Sequence, residues 1–170
     1  DEADLRRVIA RHGEERFAGR IARAIVKARP VADTAGLAEI VKLAIPAATR
    51  RTGGHPARRT FQALRIVVND ELAALADGLD AALDLVEPGG RVVVISYHSL
   101  EDRIVKRRLV SASSSPDTTS LPVMAPVAAP DFRLLFRKPM TPADEEIADN
   151  PRSRSAKLRA IERVTSGSTT

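Results

Sequence analysis

At 170 residues and 44% hydrophobic content, the chain can form one ordinary domain with a core, or one and a half small ones. Twenty-seven Lys and Arg against 22 Asp and Glu leave a net +5, which favours a polyanionic partner, and 3% aromatic residues means nucleic-acid contact would lean on charge more than stacking. The absence of cysteine excludes disulfides and cysteine metal sites, and with no apolar run of transmembrane length the expected setting is cytosolic, with no membrane partner.

In chain order, residues 3–12 and 14–29 predict two helices separated at Gly13, and a third is expected from about Ala35 to Ala44, before Pro46 and capped by Thr34. Phe17, Ile21, Ala24, Ile25 and Ala28 share one face of the second helix by three-four spacing. Beside them runs a stripe of Arg16, Arg20, Arg23 and Lys27; residues 5–30 carry eight basic against two acidic side chains. Such a stripe is either a solvated face or a phosphate-contacting one. Next comes Arg50 to Thr60, a charged hinge whose Pro56 suits the first position of a helix. Gly53-Gly54 is too little for a phosphate loop, since no strand precedes it. His55 reads as a residue before a helix-starting proline, with a functional contact as the competing role.

The following helix presents Phe61, Leu64, Val68, Leu72, Leu75, Leu79, Leu83 and Val86 along one side, with an interruption expected near Asp77-Gly78. Its charge reverses along its length: residues 70–87 hold six acids and no base. Pro88-Gly89-Gly90 then ends the helix, Gly89 supplying a positive φ. Val92 to Ile95 are four β-branched residues without polar alternation, which predicts a strand covered on both faces. Ser96-Tyr97-His98 sits at the carboxyl end of that strand, where open α/β sheets place their chemistry. Ser99 with Asp102 fits the cap of a helix running to about Val110, while His98 has no evident structural task and is the better functional candidate. Residues 111–130, with four prolines, predict a flexible loop. Strands are expected at 132–137 and 156–164 as an antiparallel edge, with a helix at 142–148 and a turn at Asn150-Pro151 between them, and residues 166–170 as a disordered tail.

The helix, Pro-Gly-Gly, strand and helix of residues 79–109 resemble the fifth-strand region of Rossmann-like class I methyltransferases. Further strings narrow the resemblance: Gly13-Glu14-Glu15-Arg16-Phe17-Ala18, His55-Pro56-Ala57-Arg58-Arg59-Thr60-Phe61-Gln62-Ala63-Leu64-Arg65-Ile66, Ser99-Leu100-Glu101-Asp102-Arg103-Ile104-Val105-Lys106 and Asn150-Pro151-Arg152-Ser153-Arg154-Ser155-Ala156-Lys157-Leu158-Arg159. Together they are similar to the ribosomal RNA small-subunit methyltransferase H family, which transfers a methyl group from S-adenosylmethionine to N4 of a cytosine in 16S rRNA. The resemblance implies an α/β fold, in which residues 1–50 form an inserted helical domain and 51–165 the C-terminal part of the methyltransferase sheet. No Gly-x-Gly turn occurs in the chain. The implied S-adenosylmethionine site therefore belongs to an N-terminal half, and no cofactor residue is carried over; this chain alone is expected to be inactive.

From the resemblance, Ser96, Tyr97 and His98 are expected to line the catalytic pocket. His55, Arg58, Arg59 and Arg65 are expected to contact 16S rRNA or the small ribosomal subunit, with Arg16, Arg20, Arg23 and Lys27 on the inserted domain. The competing role for these arginines is pairing with Glu71, Asp77 or other carboxylates. An unpaired edge beside Val92–Ile95 would favour association, for instance as a homodimer. Two other readings stay open: a non-enzymatic basic RNA-binding module, and another Rossmann-type enzyme.

Overall fold

The computed structural model describes residues 1–49, 54–114 and 129–165, so the charged segment 50–53, most of the expected loop at 111–130 and the expected tail lie outside the described residues. The chain is mixed α/β and divides into two compact units, Asp1–Glu71 and Leu72–Thr170. The first unit includes a fourth helix that packs along the first.

The first unit holds α1 (Glu2–Gly13), α2 (Ala18–Lys27), α3 (Thr34–Ala44) and α4 (Arg58–Val68). Its core gathers Ile9, Ile21, Ile25, Val41, Ile45 and Ala57, with Leu5, Phe17, Leu37 and Phe61 packed against them. Full burial of each large aliphatic side chain contributes about 1.5–3 kcal/mol. The three-four spacing in α2 therefore becomes the buried Ile21–Ile25 face, leaving the arginine stripe outside.

Local endings differ from the sequence expectation in instructive ways. Asp33, not Thr34, caps α3, its carboxylate accepting from the Gly36 N–H at 2.7 Å. Gly13 does not break the helix by its φ; the left-handed residue is Glu14, at φ 47°. Gly13 instead permits close approach: a Cβ there would lie 2.7 Å from the Arg59 carbonyl oxygen on α4. Pro56 precedes the helix by two residues, and α4 starts at Arg58. The long helix breaks at Asp70, φ 49°, rather than near Gly78, which sits inside α5 (Glu71–Leu85). A short polar side chain tolerates the left-handed region, whereas a glycine between packed Leu75, Leu79 and Leu83 leaves the helix intact.

His12, in the last turn of α1, carries a buried Nδ1 without a hydrogen-bond partner, and its carbonyl accepts from Gln62 of α4. Burial of the ring, reinforced by the Arg11 charge, holds its pKa below the ordinary value. The unfolded chain therefore binds a proton near pH ~6.5 that the folded ring takes up only at lower pH, and stability is lost as pH falls through that window. His12→Gln is expected to flatten this loss, measured as urea midpoints between about pH 7 and pH 5.

In the second unit, α5 is followed by β1 (Arg91–Ser96), α6 (Ser99–Ala112), β2 (Phe132–Leu134), α7 (Asp144–Asp149), a 3₁₀ turn (Pro151–Ser155) and β3 (Lys157–Arg163). The three strands lie in the order β1-β3-β2, both pairs antiparallel. The antiparallel β2–β3 pair lies beside β1 with β2 outermost, as the sequence led one to expect. Gly89 does adopt a positive φ, 83°, in the turn entering β1.

One face of the sheet packs Val92, Val94, Phe132, Leu134 and Ile161 against Leu79, Leu83, Val105 and Leu109 of α5 and α6. The other is open: Val93 is 55% and Ile95 54% exposed. The expectation of a strand covered on both faces is thus corrected, since a single helical layer covers the sheet among the described residues. β1 is also an edge strand there.

Candidate nucleic-acid interface and strand-end site

The carboxyl end of β1 is built from the first turn of α6. His98 is extended, φ −141° and ψ 163°, and it is His98, not Ser99, that caps α6. Its Nδ1 accepts the Glu101 N–H at 3.3 Å, and the Glu101 carboxylate accepts the N–H groups of Tyr97 at 2.9 Å and His98 at 3.2 Å. With Nδ1 engaged as an acceptor, the hydrogen of the neutral ring sits on Nε2. That atom is buried, 3.2 Å from a Glu101 oxygen but outside hydrogen-bond geometry. His98 therefore has the structural task that the sequence did not show, and neither ring nitrogen offers a free lone pair.

Behind this turn, Asp102 points into the sheet. It accepts from Arg159 Nε at 2.7 Å and Nη2 at 3.3 Å, and from Lys157 Nζ at 3.1 Å. Arg159 hydrogen bonding is the main reason the Asp102 carboxyl sits below its ordinary pKa; burial opposes the shift, and Lys157 adds to it. Ser96, buried, donates its hydroxyl to the Lys157 carbonyl at 3.4 Å. This cluster escaped sequence reading because Asp102 and Arg159 are 57 residues apart; the signal was a buried-strand position occupied by arginine. Of the three expected pocket residues, only Tyr97 is open to solvent, at 56%. Among the described residues no three His, Asp or Glu side chains gather as a metal site.

The residues expected to contact RNA lie in the first unit. On α2 and α4, Arg20, Lys27 and Arg58 are exposed and have no ion-pair partner among the described residues. Arg23 reaches Glu2 at 3.5 Å, and Arg16 lies over the Phe17 ring at 4.7 Å. Arg6 of α1 joins this group: its side chain is 3.8 Å from where a Gly19 Cβ would sit. Arg59 and Arg65 are committed elsewhere. Arg59 donates to the Glu14 carbonyl at 3.1 Å, and Arg65 forms a two-point bridge to Glu71 at 2.7 and 3.0 Å. His55 is exposed, and its Nδ1 accepts the Ala57 N–H at 3.2 Å.

The N–H groups of Tyr97, His98 and Glu101 are taken by the chain's own side chains. Among the described residues no helix is long and apolar enough to cross a membrane.

Three relatives share the name ribosomal RNA small subunit methyltransferase H. Those from Limosilactobacillus fermentum, Micrococcus luteus and Salinispora tropica are 54%, 51% and 55% identical to this chain. The alignments cover 95%, 100% and 95% of this chain but 52%, 52% and 44% of the relatives, so the chain spans about half their length. A model of the MraW methylase family matches residues 1–164. The chain belongs to the MraW methylase family.

Proposed function

We propose that the chain is the RNA-facing, C-terminal portion of an S-adenosylmethionine-dependent methyltransferase acting in the cytoplasm on N4 of a cytosine in 16S rRNA, free or in the small ribosomal subunit. The observation that carries this reading is the match of residues 1–164 to the MraW methylase family, joined to relatives named for small-subunit rRNA methylation. In this reading residues 1–50 are a helical insertion and the three-stranded sheet is the end of a larger Rossmann-like one. The open edge of β1 is where the remainder of that sheet would pair, or a second copy in its absence.

The free cations Arg20, Lys27 and Arg58 would hold phosphates and release counterions. The target cytosine must leave its stack before its amine can react. Positioning alone can supply roughly 7–11 kcal/mol of the barrier. The chain's contribution to positioning is the strand end, where Glu101 fixes the backbone of Tyr97 and His98. His98, with its Nδ1 lone pair engaged, orients this turn and does not accept the amine proton.

The methyl donor's site is assigned to the length of the relatives that this chain does not span. Titrated calorimetrically with S-adenosylmethionine, the 170-residue chain is expected to release no binding heat. A micromolar dissociation constant would overturn this division of labour.

A further inference from the structure

Tyr97 is the only tyrosine in a chain with four phenylalanines and no tryptophan. The four phenylalanines are all partly buried; Phe17 and Phe61 pack on the first unit's core and Phe132 on the second's. Tyr97 alone stands in solvent, yet its backbone is fixed, its N–H held by Glu101 and the next residue serving as the helix cap. An exposed ring on a rigid backbone loses little entropy when a flat ligand covers it.

The sheet register brings charge to the same end. Ser96 pairs with Lys157 in antiparallel register, so the chain entering β3 arrives beside the chain leaving β1. That incoming segment is the Pro151–Ser155 turn, tied down by Asn150. The Asn150 side chain accepts the Arg152 N–H at 3.2 Å, and its carbonyl accepts the hydroxyl of buried Ser153 at 2.8 Å. Arg152 and Arg154 are exposed on this turn and have no ion-pair partner among the described residues. An aromatic face with unpaired guanidinium groups at one strand end is the combination that binds an unstacked nucleotide, base on the ring and phosphates on the arginines.

We infer that Tyr97, Arg152 and Arg154 form a single-strand RNA subsite in which Tyr97 stacks on an unpaired base. The inference deepens the proposed function and rests on its assignment of RNA as the partner. It gives the chain a preference for unpaired over duplex RNA, which the cations of the first unit do not supply by charge alone.

Because Tyr97 is the sole tyrosine and no tryptophan is present, its emission reports this subsite directly. The intact chain is titrated with a short single-stranded oligocytidylate and with an RNA duplex of equal length, and binding is followed in parallel by anisotropy of labelled RNA. Free tyrosine amide in the same RNA corrects for absorption. The single strand is expected to quench Tyr97 emission and the duplex to leave it unchanged. Tyr97→Leu is expected to weaken single-strand binding roughly 5- to 150-fold, and Tyr97→Phe to restore it. Arg152→Gln with Arg154→Gln is expected to lower the slope of log K against log salt by roughly 0.7 per phosphate no longer neutralised, while full quenching persists at saturation. RNA bound with unchanged emission, or equal affinity in Tyr97→Leu, overturns the subsite and leaves the RNA assignment standing. No RNA binding at low salt overturns both.

Discussion

Asp102→Ala is expected to cost about 3–5 kcal/mol, because it leaves the Arg159 guanidinium as an uncompensated charge inside the second unit. Asp102 and Arg159 are both buried, and Lys157 shares the carboxylate. Against a typical total of about 5–15 kcal/mol, that loss removes a large part of the fold's margin. The pH dependence follows from the direction of the shift. The carboxyl titrates below its ordinary value when folded, so its contribution is present above about pH 3.9 and is lost as pH falls through the folded pKa. Urea unfolding of wild type and variant at neutral and acid pH checks both parts. The gap between them should be widest at neutral pH and narrow in acid. A neutral-pH difference below about 1 kcal/mol would show that the cluster is no stronger than a surface pair.

The second large effect concerns the first unit. Replacing Arg20, Lys27 and Arg58 together with glutamine is expected to lower the slope of log K against log salt for RNA by roughly 2–3, at 0.7–0.9 for each phosphate no longer neutralised. Their folded-state energetics should hardly change, since none has an ion-pair partner among the described residues. Arg65→Gln should do the reverse. Its two-point bridge to Glu71 predicts a small loss of stability, of order 0.2–1 kcal/mol, and an unchanged slope. Nitrocellulose-filter binding across salt concentrations, with melting curves on the same preparations, separates the two classes. An unaltered slope in the triple variant would remove the phosphate assignment.

These contrasts show where the sequence was legible. Apolar spacing in α2 and the β-branched run of β1 marked the right elements, because burial periodicity is written locally. The helix caps were each misplaced by one residue. Ser99 and Thr34 rank among the favoured cap types, yet His98 and Asp33 were the last extended residues with an acceptor in reach. The break at Asp70 and the role of Gly13 depend on what packs nearby, and a glycine's letter does not distinguish close approach from positive φ. The site was half legible. Ser96, Tyr97 and His98 were placed at the strand end correctly, but which side chain faces solvent was decided by Glu101 folding back and Asp102 turning inward. Arg65 and Arg58 look alike in sequence; only tertiary contact commits one to a carboxylate and leaves the other free.

In the proposed function this chain supplies RNA contact and base positioning to a cytosine-N4 methyltransferase whose donor site lies in the remaining length of its relatives. Nucleoside mass spectrometry of 16S rRNA, after incubation with S-adenosylmethionine, tests it directly. The chain is assayed alone and fused to the part of the Micrococcus luteus relative that the alignment leaves uncovered; over the aligned region the two are 51% identical. N4-methylcytidine is expected from the fusion and none from the chain alone. Methylated cytidine from the chain alone, or a different methylated nucleoside from the fusion, would contradict it.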